Sequence, residues 1–167
     1  MSPGVYCGGI QIKNNNYTLN PGNYILVGGG LTTQDSNSNI AGAGVMFYNT
    51  FGATDKGMQA YSPINIAATS TVDLSAPTTG TYTGILFFED RSAPASSDSY
   101  GGGSSAVYQG AIYAKNAAIT MYGNSSVSSQ YTILIADTIT MVGTSGFNDN
   151  YTTLAGGSPI KQVSLVE

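Results

Sequence analysis

The sequence has no histidine and no tryptophan, and Cys7 is the single cysteine among its 167 residues. Without histidine, the chain cannot build a Ser-His-Asp triad or an imidazole general base from its own residues. One cysteine allows no internal disulfide. Cys7 is therefore either a small buried side chain or one half of a bridge to a cysteine outside this sequence. These absences exclude several common classes of enzyme.

Charge is also scarce, because only 8% of the residues are Asp, Glu, Lys or Arg, against about 25% in an average soluble protein. Five basic residues stand against nine acidic ones, for a net charge of −4. A nucleic-acid-binding surface needs clustered positive charge, so no nucleic-acid partner is expected. Solubility must come from neutral Ser, Thr, Asn and Gly, which predicts an extracellular or cell-surface location.

Long apolar runs are absent as well. The stretch Ile85–Phe88 falls far short of the ~20 residues that span a membrane as a helix. Residues Met1–Gly4 lack the basic and apolar regions of a signal peptide. We therefore expect residues 1–167 to be a single domain, excised from a longer exported protein, that makes no membrane contact itself.

Internal repetition is the strongest positive signal. The segments Ile119–Gly123 (ITMYG) and Ile139–Gly143 (ITMVG) lie 20 residues apart. A second set of repeats consists of four-residue apolar strands that begin at Tyr24, Val45, Ile85, Ala111 and Thr132. Their spacing is 20–21 residues once two loop insertions, at 51–63 and around 92–103, are allowed for.

Between these strands lie shorter segments that alternate apolar and polar residues, such as Ile10–Ile12 and Ile64–Ile66. Alternation is the sign of a strand with one buried face, and no window shows helical periodicity. The pattern predicts an all-β fold, a parallel β-helix (β-solenoid) of about five to six coils with a period of 20–21 residues and two loop insertions. The alternative is an antiparallel sandwich or barrel, which does not require a constant repeat.

Stacking the repeats predicts two neighbouring columns of apolar residues. Successive strand residues point to opposite faces, so only one of these columns can fill the interior. The first column is Ile25, Met46, Leu86, Ile112 and Ile133, and the second is Leu26, Phe47, Phe87, Tyr113 and Leu134. The other column must be covered, for example by the insertions, or left as an exposed apolar stripe.

Four segments resemble a known family: Pro3–Ile10, Pro21–Leu31, Gly84–Arg91 and Gly156–Ile160. Together they are similar to the β-helical region of bacterial envelope proteins related to tight-adherence (Tad) pilus assembly, especially TadG-like members. The resemblance implies a β-helix outside the cytoplasm, placed after an N-terminal membrane anchor, and a role in surface structure or adhesion. It implies no catalytic residues.

The one charge cluster, Glu89-Asp90-Arg91, opens the second predicted insertion. Two carboxylates could serve glycoside hydrolysis, although adjacent strand residues point to opposite faces. The alternative is an Asp/Arg pair that orders a loop. Exposed tyrosines such as Tyr82 could stack on sugar rings, unless the aromatic residues form an interior ladder. The predicted ligand-binding residues are therefore Glu89, Asp90, Arg91 and Tyr82, with no catalytic residue assigned.

No cofactor or metal is predicted. Asp90, Asn116 and Asp137 occupy related repeat positions, and Asn148-Asp149-Asn150 forms a further polar run. Both sets read as Ca²⁺ ligands or, as we prefer, as hydrogen-bonded turns.

The expected function is that of a non-catalytic structural or adhesive module of a bacterial surface or pilus-associated protein. The alternative is a carbohydrate-active or glycan-binding β-helix with a site near Glu89, Asp90 and Arg91. The expected partners are a surface polysaccharide or an envelope protein. Open strand edges also allow end-to-end self-association.

Overall fold

The computed structural model describes residues 1–34, 38–52, 60–103, 106–123, 131–143, 150–153 and 157. Nearly all of the regular structure in these ranges is β-strand. The strands are β1 Gly4–Cys7, β2 Ile10–Ile12, β3 Asn16–Thr18, β4 Gly22–Val27, β5 Leu31–Thr33, β6 Asn39–Ala43, β7 Val45–Thr50, β8 Ile64–Ile66, β9 Thr71–Ser75, β10 Ile85–Glu89, β11 Ser96–Tyr100, β12 Val107–Gly123 and β13 Thr132–Gly143. A 3₁₀-helix follows at Tyr151–Thr153.

The strands pair in three parallel ladders. The first ladder runs β1-β4-β7-β10-β12-β13, and the second runs β2-β5-β8-β11-β12-β13. The third ladder runs β3-β6-β9-β12. Strand β12 is long enough to take part in all three. The hydrogen-bonded path therefore leads from β1 through β12 and back to β2, so the parallel sheet nearly closes on itself.

Every strand pairing in the described ranges is parallel, from β1 with β4 to β12 with β13. The predictions of an all-β fold and of parallel pairing are thus confirmed, and the antiparallel alternative is wrong for this part of the chain. The coil number and the period of the solenoid stay predictions. None of the helices in the described ranges is long and apolar enough to cross a membrane.

One of the two predicted insertions is placed wrongly. The sequence predicts a loop around 92–103, but β11 occupies Ser96–Tyr100 and pairs with both β8 and β12. This strand is hard to recognise because Asp98 and Tyr100 fill the inward positions that apolar residues fill elsewhere. The other long connection in the described ranges is 76–84, between β9 and β10. The predicted insertion at 51–63 falls partly outside the described residues.

The first ladder presents aromatic rings on its inner face. Tyr24, Phe47 and Phe87 are at most 1% exposed and lie in one register column. Their ring centroids are 5.4 Å and 4.9 Å apart in successive pairs. Aromatic pairs of this kind contribute about 0.5–1.5 kcal/mol beyond the stabilisation from the area that they bury. This interior stack, with the isoleucines of the second ladder and the buried apolar residues of the third (Ile40, Val72 and Leu74), forms much of the core.

Candidate functional site

The outer face of the same ladder carries a second aromatic column, which we call the outer ring ladder: Tyr48, Phe88 and Tyr113. Each residue directly follows an inward residue on its strand, so the alternation of strand side chains turns it outward. Phe88 is in register with Tyr48 on one side and with Tyr113 on the other. Its ring centroid lies 5.8 Å from that of Tyr48 and 4.9 Å from that of Tyr113. All three side chains are half-buried.

Arg91 lies over one end of the outer ring ladder. Its Cζ atom is 5.9 Å from the Phe88 centroid and 5.5 Å from the Tyr113 centroid, which is the geometry of a cation–π contact. The turn that carries Arg91 is held by Asn116, whose Nδ2 donates hydrogen bonds to the carbonyl oxygens of Arg91 and Ala93 at 3.1 and 2.8 Å. Arg91 is therefore exposed to solvent, while these hydrogen bonds hold its turn beside the aromatic rings.

Asp90 closes the other side of the same turn. Its Oδ1 accepts hydrogen bonds from the Ser92 backbone and hydroxyl at 2.9 and 2.6 Å. Its Oδ2 accepts from the Tyr48 and Thr50 hydroxyls at 2.9 and 2.7 Å. These donors, Ser92 foremost, hold the pKa of Asp90 well below its usual range. Asp90 thus stays ionised and orders the turn.

Tyr82 forms the wall of a groove beside the outer ring ladder. Its ring is 42% exposed and projects from the 76–84 connection. The groove has a volume of about 380 Å³ and a mostly apolar lining: Asn23, Ile25, Met46, Tyr48, Tyr82, Ile85 and Phe88. A second groove of about 660 Å³, beneath the 76–84 connection, shares Asn23 and Tyr82 with it. The two grooves offer rings, amides and hydroxyls along one face.

Glu89 does not belong to this face. It is 3% exposed and points inward between the outward-facing Phe88 and Asp90. Three of the four predicted ligand-binding residues (Tyr82, Asp90 and Arg91) thus surround the outer ring ladder. The fourth, Glu89, lies in the interior instead, since alternate residues of β10 face opposite sides. The repeat alignment already places Tyr113 in a column with Phe47 and Phe87, but it does not single out Tyr48, because only the strand register brings both tyrosines beside Phe88.

Glu89 instead meets a second carboxyl, Asp98, inside the fold. The Tyr61 hydroxyl donates to Glu89 Oε1 at 2.6 Å, and Asn49 Nδ2 donates to the same oxygen at 3.3 Å. Asp98 accepts from the Ser96 hydroxyl at 3.2 Å and from the Tyr100 hydroxyl at 3.4 Å. Burial, and then the adjacent Glu89, raise the pKa of Asp98 to about 8.

Of the polar residues considered as calcium ligands, Asp90 lies beside a turn, whereas Asn116 and Asp137 lie within strands β12 and β13. Asn116 bonds to backbone carbonyls, and the Asp90 oxygens are occupied by the donors named above. Asp137 is exposed on β13, and Asn148 and Asp149 lie outside the described residues. Within the described ranges, no three Cys, Asp or Glu residues are close enough to hold one metal ion. Cys7 is an exposed free thiol, so it is not a buried side chain.

Comparison of the chain with protein-family models, with curated proteins and with solved structures gives no match.

Proposed function

We propose that the protein is a non-catalytic, extracytoplasmic β-solenoid that serves as an adhesive module of a bacterial surface and binds glycans on its outer ring ladder. The observation that carries this proposal is the outward-facing, half-buried column of Tyr48, Phe88 and Tyr113 beside two grooves. The resemblance of the sequence to TadG-like envelope proteins agrees with this setting.

The solenoid part of the proposal rests on the order in which strands join the ladders. β1, β2 and β3 enter the first, second and third ladders in turn, and β4 to β6 and β7 to β9 repeat that order. Strands β10 and β11 begin a further turn, and β12 and β13 continue it. We infer a winding of five to six coils, each of which contacts its neighbours as in other repeat proteins.

The outer ring ladder suits a sugar because the flat, apolar face of a pyranose packs on an aromatic ring, and neighbouring amides and hydroxyls supply hydrogen bonds. Asn23, Tyr48 and Tyr82 place such groups around the smaller groove. The protein carries a net charge of −4, so a neutral glycan meets less repulsion there than an acidic one.

Paired-carboxylate hydrolysis at Glu89 and Asp90 lacks geometric support. The two glycosidase carboxyls must flank one bond of the substrate, whereas Glu89 is buried inside and Asp90 lies on the outer face. Both oxygens of Asp90 already accept hydrogen bonds from Ser92, Tyr48 and Thr50. No release of new reducing ends from neutral or acidic polysaccharides is therefore expected. Release that disappears in the Asp90→Asn variant would make the protein an enzyme and overturn this part of the proposal.

Replacing Phe88 by Ala should weaken binding of a neutral oligosaccharide about tenfold, because it removes the central ring of the stack. The measurement is titration calorimetry against a panel of neutral oligosaccharides. The matched control is Tyr122→Ala, since Tyr122 is 39% exposed on the second ladder and outside the outer ring ladder. Absence of binding to every oligosaccharide, or an equal loss in both variants, would refute the proposed site.

A further inference from the structure

The interior of the fold contains two carboxyl groups where its register columns otherwise carry mostly apolar side chains. Asp98 pairs with Ile119 in the second ladder, and Glu89 pairs with Asn49 in the first. Glu89 is 3% exposed and Asp98 is 1% exposed. The described basic residues lie elsewhere, with Lys13, Arg91 and Lys115 all exposed. Among the described residues, the side chains that contact this pair are therefore neutral.

Those neighbours donate hydrogen bonds but carry no positive charge. Tyr61 and Asn49 donate to Glu89, and Ser96 and Tyr100 donate to Asp98. The titratable groups that face the pair are Tyr61, which precedes β8, and Tyr100 on β11. Burial raises the pKa of both phenols, so they stay neutral donors. Two ionised carboxylates side by side in such a setting repel each other strongly, and one of them holds its proton instead.

We propose that Glu89 and Asp98 share one proton, and that this shared proton is an alkaline-sensitive lock at the base of the segment 90–97. Glu89 ends β10, and Asp98 is the central residue of β11. The pair therefore joins the two ends of the turn that carries Asp90 and Arg91. Loss of the proton at high pH leaves two like charges facing each other inside the fold and weakens this junction.

The direction of the pH dependence follows from the two states of Asp98. The pKa of this carboxyl is about 8 in the folded protein, against an ordinary value of 3.8. Between these values the folded state binds a proton that the unfolded state has lost, so stability falls as pH rises. One such proton changes the unfolding equilibrium constant about tenfold per pH unit. Asp90 acts in the opposite direction, and only below about pH 4, because its pKa is lowered.

The first test is denaturant unfolding of the whole chain at pH 5, 6, 7 and 8. The wild-type unfolding constant should rise about tenfold per pH unit from pH 5 to 7, and less steeply from pH 7 to 8, where Asp98 itself loses its proton (pKa about 8). Asp98→Asn, a neutral isostere, should remove most of that slope. The matched control is Asp73→Asn, because Asp73 is an exposed carboxyl on β9; this variant should keep the wild-type slope. An Asp98→Asn variant with the full wild-type slope would overturn the lock.

A second test does not need a variant that folds. The side-chain ¹³C shifts of Glu89 and Asp98 in the wild-type protein at pH 6 should show one protonated carboxyl for the pair. Two fully ionised carboxyls at that pH would overturn the shared proton. Neither test uses a glycan, so failure of the lock is distinguishable from failure of the proposed binding function.

Discussion

Replacing Phe47 by Ala is expected to lower the free energy of unfolding by about 3–5 kcal/mol, the usual cost of deleting a fully buried phenylalanine ring. Phe47 is 0% exposed and is sandwiched between the rings of Tyr24 and Phe87 at 5.4 and 4.9 Å. Tyr24 and Phe87 are held on strands β4 and β10, which pair with β7. Their rings therefore cannot move far enough to fill the space that Phe47 leaves. The cavity therefore stays open, and the variant should unfold at much lower urea concentration.

The matched control for this prediction is Phe88→Ala, which deletes the same ring from the same ladder on the opposite face. Phe88 is half-buried and leaves no sealed cavity, so a cost of about 1–2 kcal/mol is expected. Equal costs for the two variants would mean that the inner and outer faces of the first ladder are wrongly assigned.

The sequence predicts the strands of this ladder better than it predicts their alignment. Aligning the apolar four-residue strands by their first residues puts Ile25 in a column with Met46 and Ile133. In the structure, Tyr24 is in register with Phe47, and Ile133 is in register with Ala111. The inward column is Tyr24, Phe47, Phe87, Ile112 and Leu134.

The physical reason is that a one-residue slip turns every side chain of a strand to the other face. Where both faces are apolar, hydrophobicity alone cannot reveal such a slip. The outward face carries apolar residues at this place, and the 76–84 connection partly covers them. Met46 points outward yet is only 3% exposed, since the groove wall of Tyr82 stands beside it. The column that contains Met46 is thus covered here by the 76–84 connection, which is neither of the two predicted insertions.

The candidate site was predictable to the same extent. The sequence names Asp90, Arg91 and Tyr82 as candidates for two separate reasons, and strand alternation already indicates that Glu89 and Asp90 face apart. The true neighbour of Glu89 is Asp98, which lies on a different ladder. Their proximity depends on how β10 and β11 both pair with β12, and no local pattern contains that information.

Replacing Gly29 by Ala is expected to cost more than about 4 kcal/mol, which is exceptional for so small a change. Gly29 has φ +73° at the corner between β4 and β5, a conformation that costs an alanine roughly 1–2 kcal/mol. In addition, an added Cβ would overlap the Gly8 carbonyl group of the preceding corner. Gly29 also donates its backbone N–H to the Ala60 carbonyl at 3.1 Å, so the backbone cannot retreat without losing that bond.

The change Gly80→Ala separates the two causes. Gly80 also has a positive φ, +89°, but a Cβ there would meet nothing within 4 Å, so only the conformational cost of about 1–2 kcal/mol remains. The difference between the two variants, measured by urea denaturation, therefore reports the close approach of successive corners. If Gly29→Ala is no more destabilising than Gly80→Ala, the corners at Gly8 and Gly29 are not in contact. The stacking of β1 on β4 and of β2 on β5 would then be wrong, because those corners join the two ladders.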